Sequence, residues 1–156
     1  MTHIPQLDEI LEEPDIAHAV ARIASELQTL SAFGRLYDEL SPEQKTVYCT
    51  QIFETEVNNG GIEQYFLNSY GDRAEFTVRA LRVIGAEKTA LILESALSAL
   101  DAERFPEIRS ERLLAIQAAS PNVSEFWETL DQEFYKYTED LNLLNWRYIV
   151  ANRDCF

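Results

Sequence analysis

Four of the chain's five glycines lie between Glu56 and Ala86, and no other stretch constrains the fold as strongly. Two of them belong to the run Asn58, Asn59, Gly60 and Gly61. Glycine inside a helix costs about 1 kcal/mol relative to alanine, and asparagine favours caps and turns. The run therefore predicts a sharp turn of the backbone between two helices. A glycine in such a turn has an architectural role wherever its φ is positive.

The other two glycines of this stretch, Gly71 and Gly85, each follow a segment with apolar residues at helical spacing. Helices commonly end in this way, with a glycine in the left-handed conformation just past the last turn. Asp72 can then cap the helix that follows Gly71. The spacing predicts two short helices, Ile62–Tyr70 and Arg73–Ile84.

The rest of the chain shows apolar residues at helical spacing, bounded by clear start and stop signals. Asp15 and Ser41 are predicted helix caps, and Pro42 and Gln44 complete a strong start signal after Ser41. Either Asn122 or Ser124 is expected to cap the last long helix. The further predicted helices are Ile4–Glu13, 16–30, Phe33–Leu40, 42–57, Ala86–Leu100, Glu107–Ser120 and a long helix to about Leu141, with Leu143–Ile149 extending it or packing beside it.

No segment alternates as a strand does, and no linker divides the chain, so we expect one all-α domain over residues 1–156. Its architecture is predicted to be an orthogonal bundle of about eight to ten helices. Cys49 and Cys155 lie far apart with no metal-binding spacing, which predicts reduced thiols. The chain has no signal-like start and no apolar run that could span a membrane, and we expect a cytoplasmic protein.

The charge is strongly acidic, with 27 Asp and Glu residues against 13 Lys and Arg, a net charge of −14. Such a chain is a poor binder of nucleic acid, because phosphate binding depends on Lys and Arg. Hydrophobic residues make up 46% of the sequence, so the acidity belongs to a folded body. Direct contact with DNA or RNA is therefore not expected.

The acidic residues gather toward the two ends of the chain. The net charge is −7 before Lys45 and −5 after Leu100, but only −2 in between. The N-terminal acidic cluster comprises Asp8, Glu9, Glu12, Glu13 and Asp15. The C-terminal acidic cluster comprises Glu125, Glu128, Asp131, Glu133, Glu139 and Asp140. Both sets are candidate partner-binding residues, or else the solvated faces of amphipathic helices.

The C-terminal acidic cluster has a charge spacing close to that of DNA if all six residues share one helix. Six carboxylates would then occupy about 23 Å of helix axis, whereas one DNA strand carries a phosphate about every 3.4 Å. Glu125, Glu128 and Asp131 recur about once per turn and are predicted to face solvent together, with Glu139 more loosely aligned. A duplex has two strands, so a second acidic row is needed, from the N-terminal acidic cluster or from a dimer mate.

Residues with an obvious catalytic pattern are missing from the sequence. The chain has two histidines, and His18 is expected at the helix surface. Glu54 and Glu56 could supply oxygen ligands, but residues two apart on a helix point in different directions. We therefore expect no catalytic residue, no metal and no cofactor. An enzyme or small-molecule site near Glu56–Gln64 stays open as an alternative.

The glycine-rich stretch resembles the C-terminal domain shared by a family of small acidic bacterial DNA-mimic proteins. The similarity is strong over residues 41–100. It rests on Glu56, Val57, Asn59, Gly60, Gly61, Ile62, Gln64, Tyr65, Phe66, Asn68, Ser69, Ile84, Gly85 and Ala86.

The resemblance implies an all-α dimer that presents a DNA-like surface to a basic DNA-binding protein, a helix-turn-helix transcriptional repressor, and blocks its binding to the operator. On the resemblance, the two acidic clusters supply the partner-binding residues. The alternative from the residues alone is an acidic interaction or scaffold domain whose charge serves solubility.

Overall fold

The computed structural model describes residues 3–101 and 103–156, and within these residues the chain forms eight α-helices and no β-strand. The predicted all-α single-domain bundle is confirmed. The helices are α1 Leu7–Leu11, α2 Ile16–Leu30, α3 Pro42–Leu67, α4 Ala74–Val83, α5 Glu87–Leu100, α6 Arg109–Ala118, α7 Pro121–Phe134 and α8 Leu141–Ala151. Short 3-10 turns lie at Tyr37–Glu39, Ser69–Arg73 and Arg153–Cys155.

The start signals of α2 and α3 act as predicted. The Asp15 carboxylate accepts a hydrogen bond from the backbone N–H of His18 at 3.1 Å. The Ser41 hydroxyl accepts from the N–H of Gln44, and the Gln44 side chain accepts from the N–H of Ser41, each at 3.0 Å. These bonds satisfy amide groups that a helix leaves open at its N-terminus.

Helix α3 runs through the predicted turn and is broken there. Gly60 is extended, with φ of −167°, and Gly61 is left-handed, with φ of 80°, a conformation that disfavours any side chain. We call these two residues the glycine break. The predicted turn is confirmed as a kink, but the helix resumes at once and ends at Leu67, before the expected end at Tyr70.

The prediction for Gly71 and Asp72 is wrong, whereas that for Gly85 is confirmed. Gly85 ends α4 with φ of 88°. Gly71 lies in a 3-10 turn without positive φ, where the guanidinium of the fully buried Arg112 packs against its Cα. Asp72 does not cap α4 and instead forms an ion pair with Arg112 at 2.8 Å. The close approach of the Arg112 guanidinium and the Tyr65 carbonyl, rather than backbone conformation, requires glycine at position 71.

The last long helix differs most from its prediction. Helix α7 begins after Ser120, whose hydroxyl caps it, and not at Asn122 or Ser124. It ends at Phe134, because the chain turns at Tyr137, whose φ is 45°. Glu139 and Asp140 therefore lie beyond α7, and α8 is a separate helix. The prediction that six carboxylates share one helix is wrong.

Three other predicted helices are shorter than expected. Helix α1 covers Leu7–Leu11 within the predicted Ile4–Glu13, and α6 covers Arg109–Ala118 within the predicted Glu107–Ser120. The predicted helix Phe33–Leu40 is only a 3-10 turn, since the backbone is left-handed at Ala32, Phe33 and Gly34. A chain in that conformation cannot begin an α-helix at this point.

Two apolar clusters form the core and share the long helix α3. One joins the C-terminal part of α3 to α4, α5 and α7, with Phe66 and Trp127 in ring contact at 5.1 Å. The other joins α1, α2, the N-terminal part of α3 and α8 around residues such as Ile23 and Ile149. Cys49 and Cys155 are free thiols. Among the described residues, no helix combines the length and apolarity needed to cross a membrane.

Candidate acidic interaction surface

Helix α7 lies across the glycine break and is fastened to it by one carboxylate. Asp131 accepts a hydrogen bond from the backbone N–H of Ile62, the first residue after the break, at 2.8 Å. A Cβ on Gly61 would overlap the Asp131 carboxylate. Gly61 is therefore required twice, for its positive φ and for the close approach of Asp131. Asp131 is half-buried and bonded, whereas Glu125 and Glu128 of the same predicted row are exposed, and the partner-binding role of the row stays a prediction.

An open groove of about 490 Å³ runs between α7 and the glycine break. We call it the acidic groove, and its lining residues are Gly60, Gly61, Glu125, Glu128, Thr129, Asp131, Gln132 and Tyr135. Glu125 and Glu128 are exposed, and no basic side chain of the described residues forms an ion pair with either. Tyr135 donates its hydroxyl hydrogen to the Val57 carbonyl at 2.8 Å, which fixes its ring at the edge of the groove.

The electrostatic environment of Asp131 shows that negative charge is concentrated here. Burial raises the pKa of the Asp131 carboxyl group, and the hydrogen bond from Ile62 partly opposes that shift. Glu128 and Glu63 raise the pKa further through like-charge repulsion. Glu63, which belongs to neither predicted acidic cluster but falls within the alternative site region Glu56–Gln64, does not line the acidic groove and adds negative charge close to Asp131.

The polar residues of the family-like motif hold the glycine break together. The Glu56 carboxylate, before the break, accepts hydrogen bonds from the Gln64 and Asn68 amides, after it, at 3.4 and 2.5 Å. Asn58 donates to the Tyr137 hydroxyl at 2.5 Å and does not cap a helix, while Asn59 is exposed. This bonding gives the motif an architectural role.

The N-terminal acidic cluster is mostly bonded within the chain. Asp8 pairs with Arg153, and Asp15 caps α2. Hydrogen bonds from His18 and then Arg22 lower the pKa of the Glu13 carboxyl group. The two other members are Glu9, 3.9 Å from Arg22, and Glu12, which is exposed.

Three members of the C-terminal acidic cluster also have partners inside the chain. Glu133 pairs with Lys136 at 2.5 Å, and Asp140 caps α8 through the N–H of Leu143 at 2.9 Å. Glu139 binds the start of α5, where it accepts from the N–H groups of Lys88 and Thr89 and from the Thr89 hydroxyl. Burial acts to raise the pKa of Glu139, but these hydrogen bonds outweigh it and the pKa is lowered.

The two acidic clusters belong to different packing units. Helix α1 packs on α2, whereas α7 packs on α3 and α5. No hydrogen bond or ion pair between described residues joins one cluster to the other, so the predicted meeting of the two ends stays a prediction. Over residues 3–101 and 103–156, no three His, Cys, Asp or Glu side chains are grouped to hold a metal ion.

The sequence of this chain was compared with known proteins. The family model for DMP19-like protein matches residues 38–152, which is more than half of the chain and includes α3 to α8 and the whole acidic groove. Searches of curated proteins and of solved structures found no match. The match over this length shows that the chain belongs to the DMP19-like protein family.

Proposed function

We propose that this protein is a DNA mimic that presents the acidic groove to the basic face of a DNA-binding protein, a helix-turn-helix transcriptional repressor, and so blocks binding to DNA. Family membership and the resemblance to acidic DNA-mimic proteins support this function. The observation that carries it is the pair Glu125 and Glu128. Both are exposed on one stretch of α7, and neither forms an ion pair with a basic side chain of the described residues.

The spacing of these carboxylates is close to the spacing of phosphates along DNA, so the same Lys and Arg side chains of a partner could bind either. Glu125 and Glu128 are three positions apart, which corresponds to about 4.5 Å of helix axis. Phosphates follow one another at about 3.4 Å along one DNA strand. Glu63, on the far side of the glycine break, supplies further negative charge. A second copy of the chain in a homodimer would supply the second row that a duplex requires.

The mechanism needs no reaction, and we propose that the protein is not an enzyme. Carboxylates take the place of phosphates against Lys and Arg side chains of the partner, which gives fast and salt-sensitive association. The Glu56 carboxylate, one of the two glutamates considered for a site near the motif, is already engaged by Gln64 and Asn68. A cytoplasmic location, expected from the sequence, would place the protein with such repressors.

The test measures whether the protein displaces operator DNA from purified helix-turn-helix repressors of the same genome. The readout is the fluorescence anisotropy of a labelled operator duplex. The wild type is expected to release the duplex, and less efficiently as salt rises from about 50 to 200 mM. The double variant Glu125→Gln/Glu128→Gln should lose most of this activity. Glu107→Gln/Glu111→Gln, with one residue just before α6 and one within it, is the matched control, because it removes the same charge from exposed positions away from the acidic groove.

Two results would contradict the proposal. Equal activity of the Glu125→Gln/Glu128→Gln and Glu107→Gln/Glu111→Gln variants would mean that net charge alone, rather than the acidic groove, carries the interaction. If the wild type displaces the duplex from none of the repressors, even at low salt, the result would favour the acidic scaffold domain whose charge serves solubility.

A further inference from the structure

We propose that Asp131 is a positioning residue of the acidic groove: it fixes α7 against the glycine break and does not itself contact the partner. This inference rests on the proposed function and assigns different roles to carboxylates that the sequence presents as one row. Glu125 and Glu128 then form the contact surface. Asp131 fixes the position of that surface on α7 relative to Glu63.

The geometry at the break supports this role. Gly60 and Gly61 leave the helical conformation, so the segment that starts at Ile62 begins a new helical run, and the first N–H groups of such a run need partners from outside it. Asp131 satisfies one of them, as a capping residue does, but from a different helix. The bond joins residues 69 positions apart. One carboxylate therefore ties the two walls of the acidic groove together.

The same geometry removes Asp131 from the contact surface. One of its oxygens accepts from Ile62, and the other packs where a Cβ on Gly61 would lie. The side chain is half-buried, whereas Glu125 and Glu128 are exposed. A partner's Lys or Arg would reach the two glutamates without displacing any hydrogen bond.

Two substitutions separate positioning from contact. Asp131→Asn removes the charge but keeps an oxygen that can accept from Ile62. Asp131→Ala removes both the charge and the bond. If Asp131 contacts the partner by its charge, the two variants should bind equally poorly. If it positions α7, the asparagine should restore binding that the alanine loses.

The probe is a fluorescein-labelled helical peptide with arginines at i, i+4 spacing, titrated at low salt and at a temperature where every variant is folded. We expect Glu125→Gln/Glu128→Gln and Asp131→Ala each to weaken binding about fivefold, the scale of two exposed charge pairs. Asp131→Asn should stay within about twofold of the wild type. Ser41→Ala, which removes the cap of α3 at its other end, is the control for general loss of stability and should bind like the wild type.

Hydrogen exchange of the Ile62 amide tests the positioning bond without any partner. The amide should be protected in the wild type and in Asp131→Asn, and should exchange faster in Asp131→Ala. Unchanged protection in Asp131→Ala, or binding by Asp131→Asn as weak as that of the double glutamine variant, would overturn the inference. A double glutamine variant that binds like the wild type would instead overturn the proposed function, whatever the exchange result.

Discussion

The N-terminal acidic cluster and the acidic groove both look like dense negative charge in the sequence, but their carboxylates are used differently. At the N-terminus, Asp8 pairs with Arg153, and Glu13 binds both His18 and Arg22. In the acidic groove, Glu125 and Glu128 have no such partner among the described residues. The comparison shows that charge available to a partner depends on which carboxylates the fold leaves unbound.

The difference arises from the cations that each region can reach. Helix α2 and the C-terminal 3-10 turn bring basic side chains to the N-terminal acidic cluster. Just past the end of α7, Lys136 already pairs with Glu133. Arg112 of α6 is fully buried and holds four backbone carbonyls together with Asp72. A buried guanidinium with these bonds cannot neutralise charge on the exposed face of α7.

The largest expected effect comes from the support of the acidic groove. Gly61→Val should destabilise the protein by about 3 kcal/mol, because a β-branched residue resists positive φ and its side chain would displace Asp131. The melting temperature, measured by circular dichroism, should fall by roughly 6–12 °C.

Gly60→Ala is the control for that substitution. Gly60 lacks the positive φ of Gly61, and an added Cβ would meet mainly the movable end of the Gln64 side chain. We expect a loss below about 1 kcal/mol. Equal losses at both positions would show that the left-handed conformation and the Asp131 contact do not limit residue 61.

A smaller effect is expected in the N-terminal acidic cluster, where charge serves stability. Glu13→Gln should lower the melting temperature at neutral pH, because it removes the partner of His18 and Arg22. The pKa of Glu13 is lowered in the folded state, so its contribution is present above the unfolded pKa and is lost as pH falls through the folded pKa. The difference between variant and wild type should therefore vanish in acid.

Binding of the arginine peptide provides the second measurement on Glu13→Gln. If the comparison holds, this variant should bind like the wild type, since Glu13 is occupied within the chain. A melting temperature equal to that of the wild type at neutral pH, together with weakened binding, would reverse the roles assigned to the two regions.

Local signals predicted much of the fold. The caps at Asp15 and Ser41, the break at Gly60 and Gly61, and the end of α4 at Gly85 all depend on residues close in sequence. The failures involve distant residues. Gly71 is required by Arg112, and the end of α7 by the turn at Tyr137, neither of which leaves a periodic pattern in the sequence.

The site was predicted less completely for the same reason. The acidity of α7 is visible in the sequence, but the bond between Asp131 and Ile62 and the caps made by Glu139 depend on packing. Glu63 was considered only within the alternative site Glu56–Gln64, and not as part of an acidic surface, because the motif region has little net charge. Its position directly after the glycine break and Ile62 was the available signal, but only the packing of α7 shows what faces it.

The smallest expected effect tests the boundary between the two regions. Glu12 is exposed, and no ion pair with a described residue holds it, so it resembles Glu128 more than its neighbour Glu13. Glu12→Gln should change stability by less than about 0.5 kcal/mol. Peptide binding should also be unchanged if the acidic groove of one chain is the whole contact surface. If Glu12→Gln weakens binding as much as Glu128→Gln does, the N-terminal acidic cluster must lie beside α7 in the complex, within one chain or from a dimer mate, as the second row of a duplex would require.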